Sequence, residues 1–352
     1  MSDQSELLAL RAELKRKLAD GTYDPLTERV VKWVQRIFPR LPKGDVAPFF
    51  ILVFANTSIS YLLNLSDSVA AFREWLFPAF SSFVLFWFAL FVCLRFQRHL
   101  YLVLSKYMID AMTQPKDIQH LSLWLKRFNN GAVTLVFTLL LLAAIAPYQY
   151  PLQVSVHGAM AFRTTISLFS GFFLLCLMEY QVLTIMALIL ILSRYRIDLY
   201  EIDPNMSPSI LHFSRSIRDY VYILSAHTTI GMFFLAYMKT PVFPSAFLYI
   251  VPTLCIFIFR QVTLTRIVIR ARDVVLERLR NEIEALDFEN HFDDPALCNQ
   301  FKAMADYYES VKNANTGIFD VRLGLLMVNS ILLPSTAFII THFDQIKAYF
   351  GW

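Results

Sequence analysis

Seven apolar segments divide this chain, and they limit its fold more than any other feature. Segments of this length and composition are typical of helices that cross a hydrocarbon layer of about 30 Å. Of the 352 residues, 56% are hydrophobic and 17% are charged, and the mean hydropathy is +0.48. The sequence therefore predicts an all-α, polytopic membrane protein with seven transmembrane helices. The segments lie at roughly residues 47–65, 75–94, 129–148, 165–182, 219–238, 244–259 and 319–343.

The distribution of positive charge predicts how these helices are oriented. An odd number of spans places the two ends of the chain on opposite sides of the membrane. With the amino terminus in the cytosol, only Arg73, Arg163, Lys239 and Lys347 of the 32 Lys and Arg residues fall outside. We therefore expect a cell-membrane protein with a cytosolic N-terminus and an extracellular C-terminus. No apolar stretch precedes Pro48, so no cleavable signal peptide is expected.

The same patterns divide the chain into five parts. They predict cytosolic N-terminal helices, six transmembrane helices with two cytosolic helical extensions, cytosolic bundle helices, a seventh transmembrane helix and an extracellular tail. The N-terminal helices span 1–46, and the six transmembrane helices span 47–260, with extensions at about 95–128 and 183–218. The bundle helices span 261–317, the seventh transmembrane helix 318–343 and the tail 344–352.

The two cytosolic extensions share a sequence pattern. Either an ancient duplication or the limited alphabet of apolar helices explains the match. In both cases we expect the membrane helices to project into the cytosol and to pack against one another there. The first extension should break at Thr113 to Pro115. The recurring pairs are Leu102 with Leu190, Leu104 with Leu192, Ser105 with Ser193, Tyr107 with Tyr195, Ile109 with Ile197 and Asp110 with Asp198.

The sixth apolar segment continues into a long amphipathic stretch. Neither Gly nor Pro interrupts the helical pattern for about eight turns after Arg260. An apolar stripe opposes a charged face and consists of Val262, Ile269, Val275, Leu279 and Ile283. The alternative is a solvated cytosolic spacer. A second helix should start at Pro295, and together these helices predict a cytosolic bundle.

The last apolar segment carries polar residues that are costly in hydrocarbon unless they face protein or water. We expect it to line a pore, with a polar seam between helices as the alternative. A spacing of three or four places five residues on one face: Asn329, Leu333, Thr336, Ile340 and Phe343. Three further residues fall at the predicted outer mouth: Thr341, His342 and Asp344.

The ending GIFDVRLGLLMVNSILLPSTAFIITHF resembles the terminal pattern of the insect odorant and gustatory receptor superfamily. The seven-helix architecture, the short outer loops and the long inner projections are also similar to this family, and they favour a distant, gustatory-receptor-like member. Gly317 and Phe319 match the start of the pattern, and Phe343 matches its final Phe. The sequence departs from the pattern at Thr336 and His342, where the family has Tyr and Gln.

This resemblance implies a homotetrameric cation channel, gated by a ligand or open constitutively. It implies subunits that meet through the cytosolic bundle, called the anchor domain in the family, and a central pore lined by the last helix. A small-molecule pocket would lie in the outer half of each subunit. The expected partners are therefore further copies of the chain, membrane lipid, permeant cations and a small-molecule ligand, and nucleic acid is not among them.

Two groups of residues are candidates for these sites. An apolar stripe that one short helix cannot bury alone predicts the subunit interface: Phe301, Met304, Ala305, Tyr308 and Val311. Aromatic residues and a histidine within the apolar segments are candidates for the ligand pocket, with core packing as the alternative: Trp87, Tyr148, His227, Phe233 and Tyr237.

Other function classes have less support in the sequence. The chain has no Gly-rich phosphate loop and no HExxH motif, and its four cysteines have neither zinc spacing nor the arrangement of a disulfide framework. We therefore expect no enzyme, no metal site and no cofactor. The alternatives from other classes are a secondary transporter, favoured by Glu179, His227 and Arg260 within apolar segments, and a membrane scaffold that conducts nothing.

Overall fold

The computed structural model describes most of the chain. It covers residues 2–39, 88, 90–157, 161–200, 204–238, 243–285 and 295–314, with single positions in 47–58 and 325–347. Side chains are described in most of these ranges but not in two long helical stretches, 145–172 and 231–249. The described residues are almost entirely helical and include no β-strand, which confirms the all-α fold class.

We number the described helices in chain order. The first two are α1 (Ser2–Ala19) and α2 (Leu26–Ile37), followed by α3 (90–111). The remaining helices are α4 (Pro115–Phe128), α5 (Gly131–His157), α6 (Ala161–Leu192), α7 (Pro208–Met238), α8 (Phe243–Glu284) and α9 (Pro295–Lys312). A tight turn at Gly21, whose φ of 78° favours glycine, separates α1 from α2.

Four predicted apolar segments lie within α5, α6, α7 and α8. The longest of these helices, α8, has 42 residues and a length of about 63 Å at 1.5 Å per residue. It runs without a break from the sixth apolar segment into the amphipathic stretch, as the sequence predicts. The helix α9 begins at the predicted Pro295 and packs against α8.

Within the described residues, no single helix is both long and apolar enough to qualify as a membrane span. One pair of helices qualifies together by length and composition. It consists of α4 and the Gly131–Ala144 part of α5, which are bent by 54° at their junction. The stretch Cys176–Leu192 in α6 is a shorter apolar helix.

The described core lies where α3, α4, α6 and α7 converge. Leu104, Leu121, Leu192 and Phe213 have no exposed surface there, and burial of each such side chain contributes about 1.5–3 kcal/mol. In α3, a π-helical turn at Leu104–Met108 widens the helix at this point. Turns of this kind often occur at functional sites.

The helices α3 and α6 end where they approach each other. The helix α3 ends at residue 111, and α4 begins with Pro115, so the predicted break is confirmed. The helix α6 ends at Leu192, which is earlier than the sequence pattern predicts. Residues 193–200 are not helical, and residues 196–198 pair through their backbone with the segment after α3. The next described elements are the short turn Pro204–Met206 and α7.

Candidate functional site

The two similar sequence stretches meet at their ends. Met112 and Ile197 form an antiparallel β-bridge just beyond α3 and α6. The Asp198 amide donates to the Ala111 carbonyl at 2.7 Å, and the Thr113 amide donates to the carbonyl of residue 196 at 3.1 Å. We call this pairing the bridge junction (residues 111–113 and 196–198), and it shows that the two similar stretches contact each other at their ends. The location of these stretches in the cytosol stays a prediction.

The first helix is bound directly to the bridge junction. The Arg11 guanidinium donates to the Met112 carbonyl oxygen at 2.6 Å, and Lys15 forms an ion pair of 2.6 Å with Asp110. Hydrogen bonds from charged groups contribute about 1.5–3 kcal/mol, whereas an exposed ion pair contributes about 0–1 kcal/mol. Of these two polar contacts, we therefore assign the larger contribution to Arg11.

The C-terminal half of α8 is bound to the other side of the junction. Arg270 donates to the carbonyl oxygens of Ser193 and Arg194 at 3.2 and 3.1 Å. A cation is favourable beside these carbonyls because they follow the negative end of the α6 dipole. Since α8 also contains the sixth apolar segment, one continuous helix connects that segment to the bridge junction.

The helix α4 contributes two further contacts to the junction. Asp117 accepts a hydrogen bond from the Arg196 amide at 3.0 Å, and His120 lies 2.9 Å from the Tyr195 hydroxyl through its Nδ1 atom. Burial raises the pKa of Tyr195, so this hydroxyl stays neutral at physiological pH. Segments from five helices are thus fixed to one another at this point.

A second polar cluster lies at the predicted inner ends of the apolar segments. The Glu28 carboxylate contacts the Arg98 guanidinium, and Gln181 donates to the Thr27 hydroxyl. Burial raises the pKa of Glu28, and the nearby Arg98 charge acts in the opposite direction. These contacts attach α2 to both α3 and α6.

A buried amide pair extends this cluster to α4. The Gln97 amide nitrogen donates to Asn129 at 3.1 Å and to the Tyr101 hydroxyl at 2.9 Å, and Asn129 donates to the same hydroxyl at 2.7 Å. Burial raises the pKa of Tyr101 to about 12. Such a network specifies one arrangement of helices, because each buried polar group costs free energy when it loses its partner.

Deeper in the predicted spans, Glu179 is the most unusual residue. Its surface is 5% exposed, and within the described part of the chain no hydrogen bond or ion pair reaches its carboxylate. It lies within electrostatic range of Cys93 and Tyr220, whose Sγ and hydroxyl atoms are 3.1 Å apart. Arg260 donates to the Ser214 hydroxyl at 3.1 Å and does not form an ion pair with Glu179.

The predicted pore face remains a prediction. Five of its residues are described, and each is helical and exposed: Asn329, Thr336, Ile340, Phe343 and Asp344. The other three, Leu333, Thr341 and His342, lie outside the described residues.

The predicted subunit interface lies on α9. Val311 is completely buried, whereas Phe301, Met304, Ala305 and Tyr308 are half-buried. Since α9 packs against α8 of the same chain, part of the stripe is covered within one subunit. The half-buried part keeps the apolar surface that a second subunit would need.

The residues proposed for the ligand pocket are only partly described. His227 is buried in α7. Tyr148 lies in α5, and Phe233 and Tyr237 lie in α7, but their side chains are not described, and Trp87 falls outside the described residues.

Sequence reasoning missed the contacts that hold the helices together. It did not single out Arg11, Asp117 or Arg270 at the junction, or Gln97 and Asn129 in the second cluster. A signal was present, because Gln97 and Asn129 are polar residues at the boundaries of apolar segments. Their partners lie on other helices, so no local pattern identifies the pairs.

The described residues contain no group of three or more His, Cys, Asp or Glu side chains that could hold a metal ion. No protein-family model matches the chain, and no curated protein or solved structure is significantly similar to it.

Proposed function

We propose that this chain is a subunit of a homotetrameric cation channel of the gustatory- and odorant-receptor-like type. It would cross the cell membrane seven times, with its N-terminus in the cytosol, its C-terminus outside and the last transmembrane helix lining the pore. The seven apolar segments, the bias of basic residues and the similarity of the C-terminal pattern support this proposal.

The observation that carries the membrane location is the reversed polarity of α5. Thr134 and Thr138 are buried, and Thr138 donates its hydroxyl to the Thr134 carbonyl at 2.7 Å. The opposite face exposes large apolar side chains: Leu135, Val136, Leu139 and Leu140, the last of which is 65% exposed. Such a face is unfavourable in water and favourable in hydrocarbon, while buried hydroxyls are typical of helix seams in membranes.

The contact between α7 and α8 has the same polarity. The Thr228 and Thr253 hydroxyl oxygens are 2.8 Å apart and buried between the helices. Apolar Ile230, Val251 and Ile258 on these helices are exposed. The helix α5 and the contact between α7 and α8 thus both place polar groups inside and apolar groups outside, which favours lipid as the surrounding solvent.

The path from α8 to the bridge junction provides a physical basis for gating. Because α8 runs from the sixth apolar segment to Arg270, movement of its membrane half changes the position of Arg270 relative to the Ser193 and Arg194 carbonyls. The helix α9, which precedes the predicted pore helix, packs on the same α8. A ligand that displaced α8 would therefore also act on the pore helix.

Electrical recording tests this function. Purified full-length protein should give discrete cation-selective currents in planar bilayers, at rest or after addition of a small-molecule ligand. Asn329→Leu should reduce the unit conductance by removing a predicted pore amide, while Leu325→Ile, a conservative change in the same segment, should leave it unchanged. If neither Asn329→Leu nor any other change between residues 325 and 347 alters the conductance, this segment does not line the pore.

A secondary transporter is the second candidate, and Glu179 is the observation that favours it. A buried carboxylate without a partner in the described structure is typical of proton or solute sites in transporters. The transporter is supported over the channel if proteoliposomes take up protons without unitary currents. The Glu179→Gln variant should then lose this proton uptake. Absence of both activities would favour a non-conducting scaffold.

A further inference from the structure

The helix α2 has two different faces. Its buried face consists of Thr27, Glu28, Val31 and Val34, which follow a spacing of one, three and three residues. The opposite side, which we call the α2 outer face, combines basic and large apolar residues: Arg29, Lys32, Trp33, Arg36 and Ile37. Trp33 is 59% exposed and Ile37 is 48% exposed, although both are large apolar side chains.

The contacts of the buried face determine where α2 lies along the axis perpendicular to the predicted membrane. Its partners are Arg98, next to Glu28, and Gln181, which donates to Thr27. The Leu26 side chain also approaches Gly131, with its Cδ1 atom 3.4 Å from where a Cβ atom of that glycine would lie. Each partner is at the inner end of a predicted apolar segment. These three contacts therefore place α2 at the cytosolic boundary of the predicted membrane.

The composition of the α2 outer face matches that boundary. Tryptophan is enriched where headgroups meet acyl chains, and basic side chains bind the anionic headgroups of the inner leaflet. Residues 29–44 contain five basic residues and no acidic one. Lys32 is paired with Asp24, whereas the described residues provide no ion-pair partner for Arg36.

We propose that the α2 outer face docks on the inner leaflet, with Trp33 and Ile37 at the acyl-chain boundary and Arg29 and Arg36 bound to the phosphates of anionic lipids. This docking rests on the membrane location proposed above and does not depend on ion conduction. A channel, a transporter and a scaffold would all retain such a face. Its consequence is that anionic lipid stabilises α2 and, through Glu28 and Thr27, the inner ends of α3 and α6.

Tryptophan fluorescence tests this docking. In a full-length variant with Trp33 as its single tryptophan (Trp75, Trp87, Trp124 and Trp352→Phe), the protein is reconstituted into phosphatidylcholine vesicles. One set of vesicles contains brominated phosphatidylglycerol, and the other contains brominated phosphatidylcholine. In both lipids the bromine lies near the top of the acyl chain. Both lipids should quench Trp33, with phosphatidylglycerol stronger by more than about twofold because of its charge. A second variant that keeps only the buried Trp124 provides the control and should show little quenching.

Removing the positive charges of Arg29 and Arg36 distinguishes binding of anionic headgroups from mere closeness of Trp33 to any lipid. Arg29→Gln with Arg36→Gln, in the single-Trp33 background, should lower the ratio of the two quenching constants to about one while quenching by phosphatidylcholine persists. The matched change of Arg278→Gln with Lys302→Gln, on exposed positions of α8 and α9, should leave the ratio unchanged. Circular dichroism confirms that each variant retains its helix content.

Three outcomes would overturn the proposal. Equal quenching by both lipids in the parent would exclude selective binding of anionic headgroups. Quenching by acrylamide but by neither lipid would place the α2 outer face in water. Protection of Trp33 from both lipids and from acrylamide would mean that a second copy of the chain or another protein covers this face.

Discussion

The Arg11 guanidinium lies 2.6 Å from the carbonyl oxygen of Met112, and this contact fastens the first helix to the place where α3 ends. Met112 is also the residue that pairs with Ile197 beyond α6. One hydrogen bond therefore connects the N-terminal helix to the point where two long helices meet.

We predict that Arg11→Met loosens the bridge junction. The methionine keeps an apolar stem but cannot donate, so the Met112 carbonyl loses a bond from a charged group. A loss of about 1.5 kcal/mol corresponds to a roughly tenfold faster exchange of amide hydrogens at Thr113 and Asp198. Hydrogen exchange of peptides that contain these residues measures the effect. Arg16→Met, an exposed change on the same helix, should not alter it, and equal exchange in parent and Arg11→Met would contradict the assigned role.

We predict that Glu28→Gln does not destabilise the protein at neutral pH. Burial raises the pKa of Glu28, so its charged form is less favourable in the folded chain than in the unfolded chain. The parent therefore loses stability as the pH rises from 4.5 through the folded pKa, whereas the glutamine variant does not. The variant should melt at the same or a higher temperature at pH 7.5, and the difference should shrink near pH 4.5.

Thermal unfolding in detergent at several pH values measures this effect, with Glu6→Gln on an exposed part of α1 as the control. A lower melting temperature of Glu28→Gln at pH 7.5 would mean that the contact with Arg98 outweighs the cost of burial.

We predict that the half-buried surface of α9 joins subunits. Phe301→Asp with Tyr308→Asp should dissociate the oligomer and leave the helices inserted, because two carboxylates would enter an apolar interface. Lys302→Asp with Glu309→Lys, on exposed positions of the same helix, is the matched control. If the parent and the variant changed at Phe301 and Tyr308 have the same size in native electrophoresis, α9 does not form the interface.

We predict that the outer end of the last helix controls permeation. In a tetramer, Asp344 would place four carboxylates at the mouth, so Asp344→Lys should lower cation conductance or shift selectivity towards anions. Ile340→Ala should widen an apolar constriction and raise the basal current. Bilayer recording measures both, and Asp344→Glu, which keeps the charge, should resemble the parent. If conductance, selectivity and basal current are unchanged in both variants, this helix end does not face the pore.

The helices were more predictable from sequence than their contacts. The break before Pro115, the start of α9 at Pro295 and the continuous course of α8 each follow from a local signal that Pro or apolar periodicity provides. The early end of α6 at Leu192 had no such signal, because the apolar pattern continues to Ile197. Just beyond that end, Ile197 pairs with Met112, which is 85 positions away from it in the chain.

The same reason limits prediction of the candidate site. Gln97 and Asn129 are each visible as polar residues at a segment boundary, but their hydrogen bond crosses from one helix to the next. Glu179 is recognisable in sequence as an acid within an apolar segment, and the sequence offers Arg260, at the end of another apolar segment, as a residue of opposite charge. Arg260 instead donates to Ser214, since the direction in which each helix faces decides which side chains meet.

The symmetry of the purified particle tests the proposed channel most directly. Single-particle imaging of the detergent-solubilised full-length protein should show four subunits around one axis, with the helix that contains Asn329 and Thr336 next to the axis and α9 between subunits. A monomer, or a two-fold dimer without a central pathway, would contradict the channel.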